Sequence, residues 1–167
     1  YLTDYNNKIR MIAGEDFIAP STSTLAATAG AGQVTLTWNS AGDDMVNGGN
    51  LTGTYRIQYA TYTASWSTST TPTNATTVTI ATTSQTMGSA QSKVISGLNG
   101  GTTYYFVLWS QDESNNWSAI SNAASTYATS DITAPSTSTL TAVMGSIDGS
   151  IDLSWASAGD DAMSGNL

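Results

Sequence analysis

The chain has no cysteine and no histidine among its 167 residues. The first absence excludes disulfides and thiol nucleophiles. The second removes imidazole as a base, and the two together exclude a Cys/His zinc site. Positive charge is scarce as well: 4 Lys and Arg stand against 12 Asp and Glu, a formal charge of −8. No nucleic-acid partner is expected, because phosphate binding rests on clustered basic residues. A polybasic membrane-surface mode fails for the same reason. No apolar run approaches the roughly 20 residues a spanning helix needs, so no membrane insertion is expected. Only 10% of residues are charged, where about a quarter is ordinary in a globular domain. Ser and Thr take their place.

What the chain has instead is an internal repeat. Asp16-Phe17-Ile18-Ala19-Pro20-Ser21-Thr22-Ser23-Thr24-Leu25 returns as Asp131-Ile132-Thr133-Ala134-Pro135-Ser136-Thr137-Ser138-Thr139-Leu140, and the run Trp38 to Asp44 returns as Trp155 to Asp161. The period, about 115 residues, is that of a β-sandwich module and not of a solenoid repeat. The second copy stops at Leu167, which suggests a stretch of a longer tandem array. Residues 1–15 read as an N-terminal strand or hairpin, 16–130 as one domain, and 131–167 as the first strands of a second.

Helix signals are nearly absent. Short alternating segments separated by Gly, Asn, Asp and Pro give the all-β pattern. Strands are expected at Leu25 to Thr28, Gln33 to Trp38, Tyr55 to Tyr59, Thr77 to Ala81, Lys93 to Ile95, Thr103 to Gln111 and Ala119 to Thr126. Alternation puts Val34, Leu36 and Trp38 on one face, and likewise Tyr55, Ile57 and Tyr59. Seven strands at this spacing predict a Greek-key β-sandwich.

These residues resemble a family. Leu98, five residues and Tyr104 match the tyrosine corner of fibronectin type III domains, in which a Tyr hydroxyl bonds back to the preceding backbone. Trp38 holds the core Trp position of their second strand. Trp38 to Asp44, Tyr55 to Tyr59, Thr103 to Phe106 and Asp112 to Asn122 are similar to a bacterial extracellular branch of that family. The resemblance covers residues 16–130, and 131–167 as an incomplete copy; it implies an immunoglobulin-like sandwich in an extracellular, secreted or cell-surface protein. In front, Tyr1 to Ile12 resembles the end of an NHL-type β-propeller repeat. Physically it reads as strand, Asx-rich turn, strand.

Catalysis finds no support, and no catalytic residue is expected. A Ser nucleophile needs a base, and neither Lys8 nor Lys93 lies in a Ser-x-x-Lys motif. Asp43 and Asp44 are sequence neighbours, poorly placed for a two-carboxylate glycosidase. For a cofactor, calcium is the one candidate. The sandwich brings the loop after the second strand beside the loop before the last. Asp43 and Asp44 then approach Asp112, Glu113 and Asn115, with Glu15 and Asp16 in the incoming linker, and hard oxygen donors in a loop cluster suit Ca²⁺. Asp131, Asp160 and Asp161 would repeat the set. The competing reading is that Asp43 or Asp112 caps a turn.

The most distinctive surface is aromatic. With Tyr104, Phe106, Leu108 and Ser110 inward, Tyr105, Val107 and Trp109 face out beside Arg56 and Gln58. Exposed, that stripe would contact sugar rings or another chain. Alternatively Trp66, in the long Thr61 to Thr86 excursion, folds over it as a second small core. Asn50, Asn74 and Asn116 each open an N-glycosylation sequon.

Three functions fit. The first is a non-catalytic structural or interaction module of a large secreted or cell-surface bacterial multidomain protein, acting as a spacer or as an adhesion or display domain. The second is a carbohydrate-binding accessory module of a secreted hydrolase, meeting polysaccharide through Trp109, Tyr105 or Trp66. The third is a filament or surface-assembly subunit, self-associating by strand complementation through residues 131–167.

Overall fold

Alternation of apolar and hydroxyl side chains sets the strands. The computed structural model describes residues 2–3, 9–10, 16–44 and 48–159. Among them there is no helix, and the strands run β1 Leu2–Thr3, β2 Ile9–Arg10, β3 Ala26–Gly30, β4 Gln33–Asn39, β5 Leu51–Ala60, β6 Thr76–Gln85, β7 Ala90–Ser96, β8 Thr103–Asp112, β9 Ala124–Tyr127, β10 Leu140–Met144 and β11 Ile151–Trp155. The chain divides into two units, Tyr1–Ser130 and Asp131–Leu167.

The first unit is a β-sandwich of two antiparallel sheets, ordered β3-β4-β7 and β6-β5-β8-β9. Its inner faces supply one core: Val34, Leu36 and Trp38 from β4, Tyr55 and Ile57 from β5, Phe106 and Leu108 from β8. Each such side chain contributes about 1.5–3 kcal/mol by leaving water. The Trp38 and Tyr55 rings meet edge to face at 5.2 Å. Tyr59 packs at the margin of the core against Tyr104 and Phe106. At the start of the unit β1 pairs with β2, Leu2 opposite Arg10; the intervening turn lies outside the described residues.

Two local devices were not visible as pattern. A bulge shifts the β5–β6 register between Leu51 and Gly53. Gly53 has φ +148, and a Cβ there would lie 2.0 Å from the Gln111 carbonyl oxygen, so only glycine lets β5 approach β8. The last expected strand, Ala119 to Thr126, is shorter than its sequence suggests, and β9 begins at Ala124. Upstream of it, Ser118 and Ser121 extend the ladder of β8 differently. Ser118 N–H donates to the Ser110 carbonyl at 2.8 Å, and Ser118 Oγ accepts from Ser110 N–H at 2.9 Å. Ser121 repeats the pair with Leu108, both at 2.9 Å. Side-chain hydroxyls thus stand in for backbone carbonyls, satisfying donors that burial would otherwise orphan.

The second unit, among its described residues, is the hairpin β10–β11, with Leu140 opposite Trp155. The repeated sequence makes repeated bonds. Asp16 Oδ1 accepts from Ile18 N–H at 2.9 Å, as Asp131 does from Thr133. Gly42 N–H donates to Ser21 Oγ at 2.9 Å, as Gly159 does to Ser136. Ser23 Oγ donates to the Asn39 carbonyl, as Ser138 does to that of Ala156. The two tryptophans differ: Trp38 is buried, whereas Trp155 is 66% exposed.

Candidate functional site

The loops at one end of the sandwich gather acid. The carboxylate oxygens of Asp16, Asp43 and Asp44 lie within 4.8 Å of one another. Asp43 is held there by its loop, in which Asp44 N–H donates to the Gly48 carbonyl at 3.1 Å. Gly49, at φ +86, leaves the space that Asp43 Cβ needs. One Asp43 oxygen, Oδ1, is buried and meets no hydrogen-bond donor among the described residues. Burial first, then the charges of Glu113, Asp44, Asp112 and Asp16, push the Asp43 carboxyl up from its ordinary 3.8 to about 6.

The expected cluster is brought together only in part. Asp112 is a turn cap: its Oδ1 accepts from Asn116 N–H at 2.8 Å and its Oδ2 from Asn116 Nδ2 at 2.9 Å. The same Asn116 amide reaches the Asp16 carbonyl at 3.0 Å and so ties the incoming linker to this loop. Asn115, left-handed at φ 69, turns its Oδ1 to Gln111 Nε2 at 3.3 Å. Glu113 is exposed and contributes charge. Asp131 is exposed in the second unit, while Glu15, Asp160 and Asp161 lie outside the described residues. Asp16, read as a linker residue, is the third member of the close set.

The aromatic stripe points outward as its alternation requires, but it is covered. Val107 is 1% exposed and Trp109 5%, with Tyr105 half-buried. The cover is the β5–β6 loop. Gln58 Nε2 donates to the Ser67 carbonyl at 2.9 Å and to that of Thr70 at 3.3 Å. Arg56 Nη1 donates to the Thr68 carbonyl, and its guanidinium lies 5.6 Å from the Trp117 ring centroid, within cation–π range. Trp66, beside these anchors, is half-buried. In place of an exposed Tyr105-Val107-Trp109 platform there is a second, small core, for a simple reason: a Tyr-Val-Trp face on a sheet recruits whatever loop is long enough to dry it.

A groove of about 610 Å³ lies on the other sheet, between Ser21–Thr24 and Met87–Ser92 over Thr37–Ala41. Its lining has hydroxyl and amide side chains and no charge.

Tyr104 decides the kind of sandwich: its hydroxyl accepts from the backbone N–H of Asn99 at 3.0 Å, closing a tyrosine corner between two sheets of three and four strands. The fold is a fibronectin type III-like sandwich. No protein-family model matches the chain, and no curated protein does. Among solved structures it is similar to a Fn3-like protein from Clostridium thermocellum, at 21% identity over 64% of this chain and 86% of that one, TM-score 0.39. It is similar to chicken CNTN1 FN1-FN3 domains at 15% identity, over 83% of this chain and 43% of that one, TM-score 0.45. Astrotactin-2 follows at 12% identity, over 69% and 23%, TM-score 0.49. Strand order and the tyrosine corner mark the fold by themselves.

Proposed function

We propose that this chain is a non-catalytic structural and interaction module, spacing or displaying neighbouring domains of a large bacterial protein at the cell surface or outside it. The observation that carries this reading is the repeat of sequence and hydrogen bonds in two successive units, Asp16/Asp131, Ser21/Ser136 and Ser23/Ser138. Modules in series are what a spacer needs. A chain without His or Cys lacks the usual nucleophile–base pairs. The carbohydrate alternative loses Trp109 as a stacking ring, since it is buried, and Tyr105 and Trp66 are half-buried. An antibody raised against the chain tests the reading. It should label intact producing cells, and the signal should vanish when those cells are shaved with protease. Labelling only after permeabilisation would defeat it.

A second reading concerns the acidic end. Asp16, Asp43 and Asp44, with the orphaned Asp43 Oδ1, form a donor set suited to a hard divalent cation such as calcium. Bound there, the ion would fix the incoming linker against the β4–β5 loop. Calorimetric titration with Ca²⁺ tests this: heat that disappears in Asp43→Asn supports it, and no heat in the parent chain overturns it.

A further inference from the structure

The strand β6 ends its sheet among the described residues, and a loop contact reaches it, the hydroxyl pair Thr71–Thr77 at 2.7 Å. Among the described residues its ladder runs to β5 alone. Its ten residues, Thr76 to Gln85, include no charge and no proline, the two devices that usually blunt an edge. The other edges of the sandwich are short or charged: β3 has five residues, β9 four, and β7 carries Lys93. Near the far end of β6, Ser84 turns left-handed at φ 49 and gives its N–H to Thr52 Oγ1, which takes that end out of the regular ladder. What remains straight is Thr76-Thr77-Val78-Thr79-Ile80-Ala81-Thr82. Val78 and Ile80 pack against the core and are only partly buried, with no strand beyond them among the described residues.

We propose that β6 is the interface through which two copies of this chain associate, paired antiparallel about a twofold axis at Thr79. The occupant follows from the strand's own order. Reversed about Thr79, the segment meets itself in kind: Val78 opposes Ile80 of the second copy, Thr77 opposes Ala81, Thr76 opposes Thr82, and Thr79 opposes itself. On the core side Val78 and Ile80 pair, flanked by Thr76 and Thr82, while Thr77, Thr79 and Ala81 on the other side are small or hydroxylic. Matched cross-strand pairs stabilise an antiparallel ladder, and self-complementarity is what an isologous contact demands. Charge selects the same arrangement. The described carboxylates of the first unit, Asp16, Asp43, Asp44, Asp112 and Glu113, sit together at one end. Antiparallel pairing carries the two acidic ends to opposite extremes of the dimer, whereas parallel pairing would set them side by side. The inference goes beyond the spacer reading, which stands whether or not copies pair.

Sedimentation velocity on the full chain, from micromolar to millimolar concentration, tests it. The mass should rise to twice that of the monomer and stop there. Thr79→Glu, which sets two carboxylates face to face on the axis, should return the chain to monomer with its circular dichroism and melting temperature kept. Because the chain has no cysteine, Thr79→Cys supplies a lone thiol. Under mild oxidation it should cross-link to covalent dimer, while Ser125→Cys on the β9 edge should not. A monomer at millimolar concentration overturns the proposal. So does growth beyond dimer, a dimer that survives Thr79→Glu, or equal cross-linking of the two cysteine variants.

Discussion

The side-chain amide of Asn122 pairs with the backbone of Leu25 as a neighbouring strand would: Nδ2 donates to the Leu25 carbonyl and Oδ1 accepts from the Leu25 N–H, both at 2.9 Å. One residue thereby satisfies both polar groups of a buried leucine 97 positions away. Asn122→Ala should cost about 1–3 kcal/mol in urea unfolding, because it orphans a donor and an acceptor together. Asn122→Asp keeps the acceptor alone when ionised and regains a donor when protonated, so it should cost less at acidic pH than at neutral pH.

The tyrosine corner makes a smaller demand. Tyr104→Phe removes only the acceptor for Asn99 N–H and leaves the ring packed on Tyr59 and Phe106. A loss of about 1 kcal/mol is expected, with the spectrum of the folded state unchanged. A loss as large as that of Tyr104→Ala would mean that the hydroxyl, not the ring, carries the site.

Acid should help the acidic end. The Asp43 carboxyl titrates near 6 in the folded chain against an ordinary 3.8, so the folded state holds its proton more tightly than the unfolded one. Stability from this group is full below 3.8, is lost as pH rises through about 6, and is absent at neutral pH. Asp43→Asn should therefore melt higher than the parent at neutral pH in chelator, and the two should converge below the ordinary carboxylate range. Thermal melts across that window check the sign.

The cover over Trp109 should be removable without loss of the sandwich. Gln58 is fully buried, and its Nε2 holds two loop carbonyls while its Oε1 has no donor among the described residues. Gln58→Met releases the tie and fits the apolar floor. Protease should then cut within residues 61–75 while the core, followed through Trp38 and Tyr55, stays folded. Equal resistance in parent and variant would show that the loop holds without Gln58, through Arg56.

Much of the frame was legible in the sequence. Alternation alone placed Val34, Leu36 and Trp38 inside, because a half-buried strand has a period of two. Leu98 and Tyr104 announced the corner. The acidic end was legible as a neighbourhood but not as a ligand set, since composition cannot tell that Asn116 occupies Asp112 while Asp16 stays near Asp43. The outward direction of Trp109 was legible and its burial was not: a strand pattern reports the side, and only the loop decides what covers it. The stretch before β9 misled for a related reason. Ser118 and Ser121 pair with β8 through hydroxyls, a ladder that propensity does not anticipate.

The segment that follows β3 also meets the segment that follows β9. Gly32 N–H donates to the Thr129 carbonyl and Thr129 N–H to that of Gly30, both at 2.9 Å, in a parallel bridge between Ala31 and Thr129. Tension drawn through the chain enters upstream of one of these segments and leaves downstream of the other. Because they run in the same direction, such a pull loads these bonds, and the Asn122 amide, lengthwise and together instead of peeling them one by one. When the first unit is pulled from both ends, that seam is where rupture force would be set.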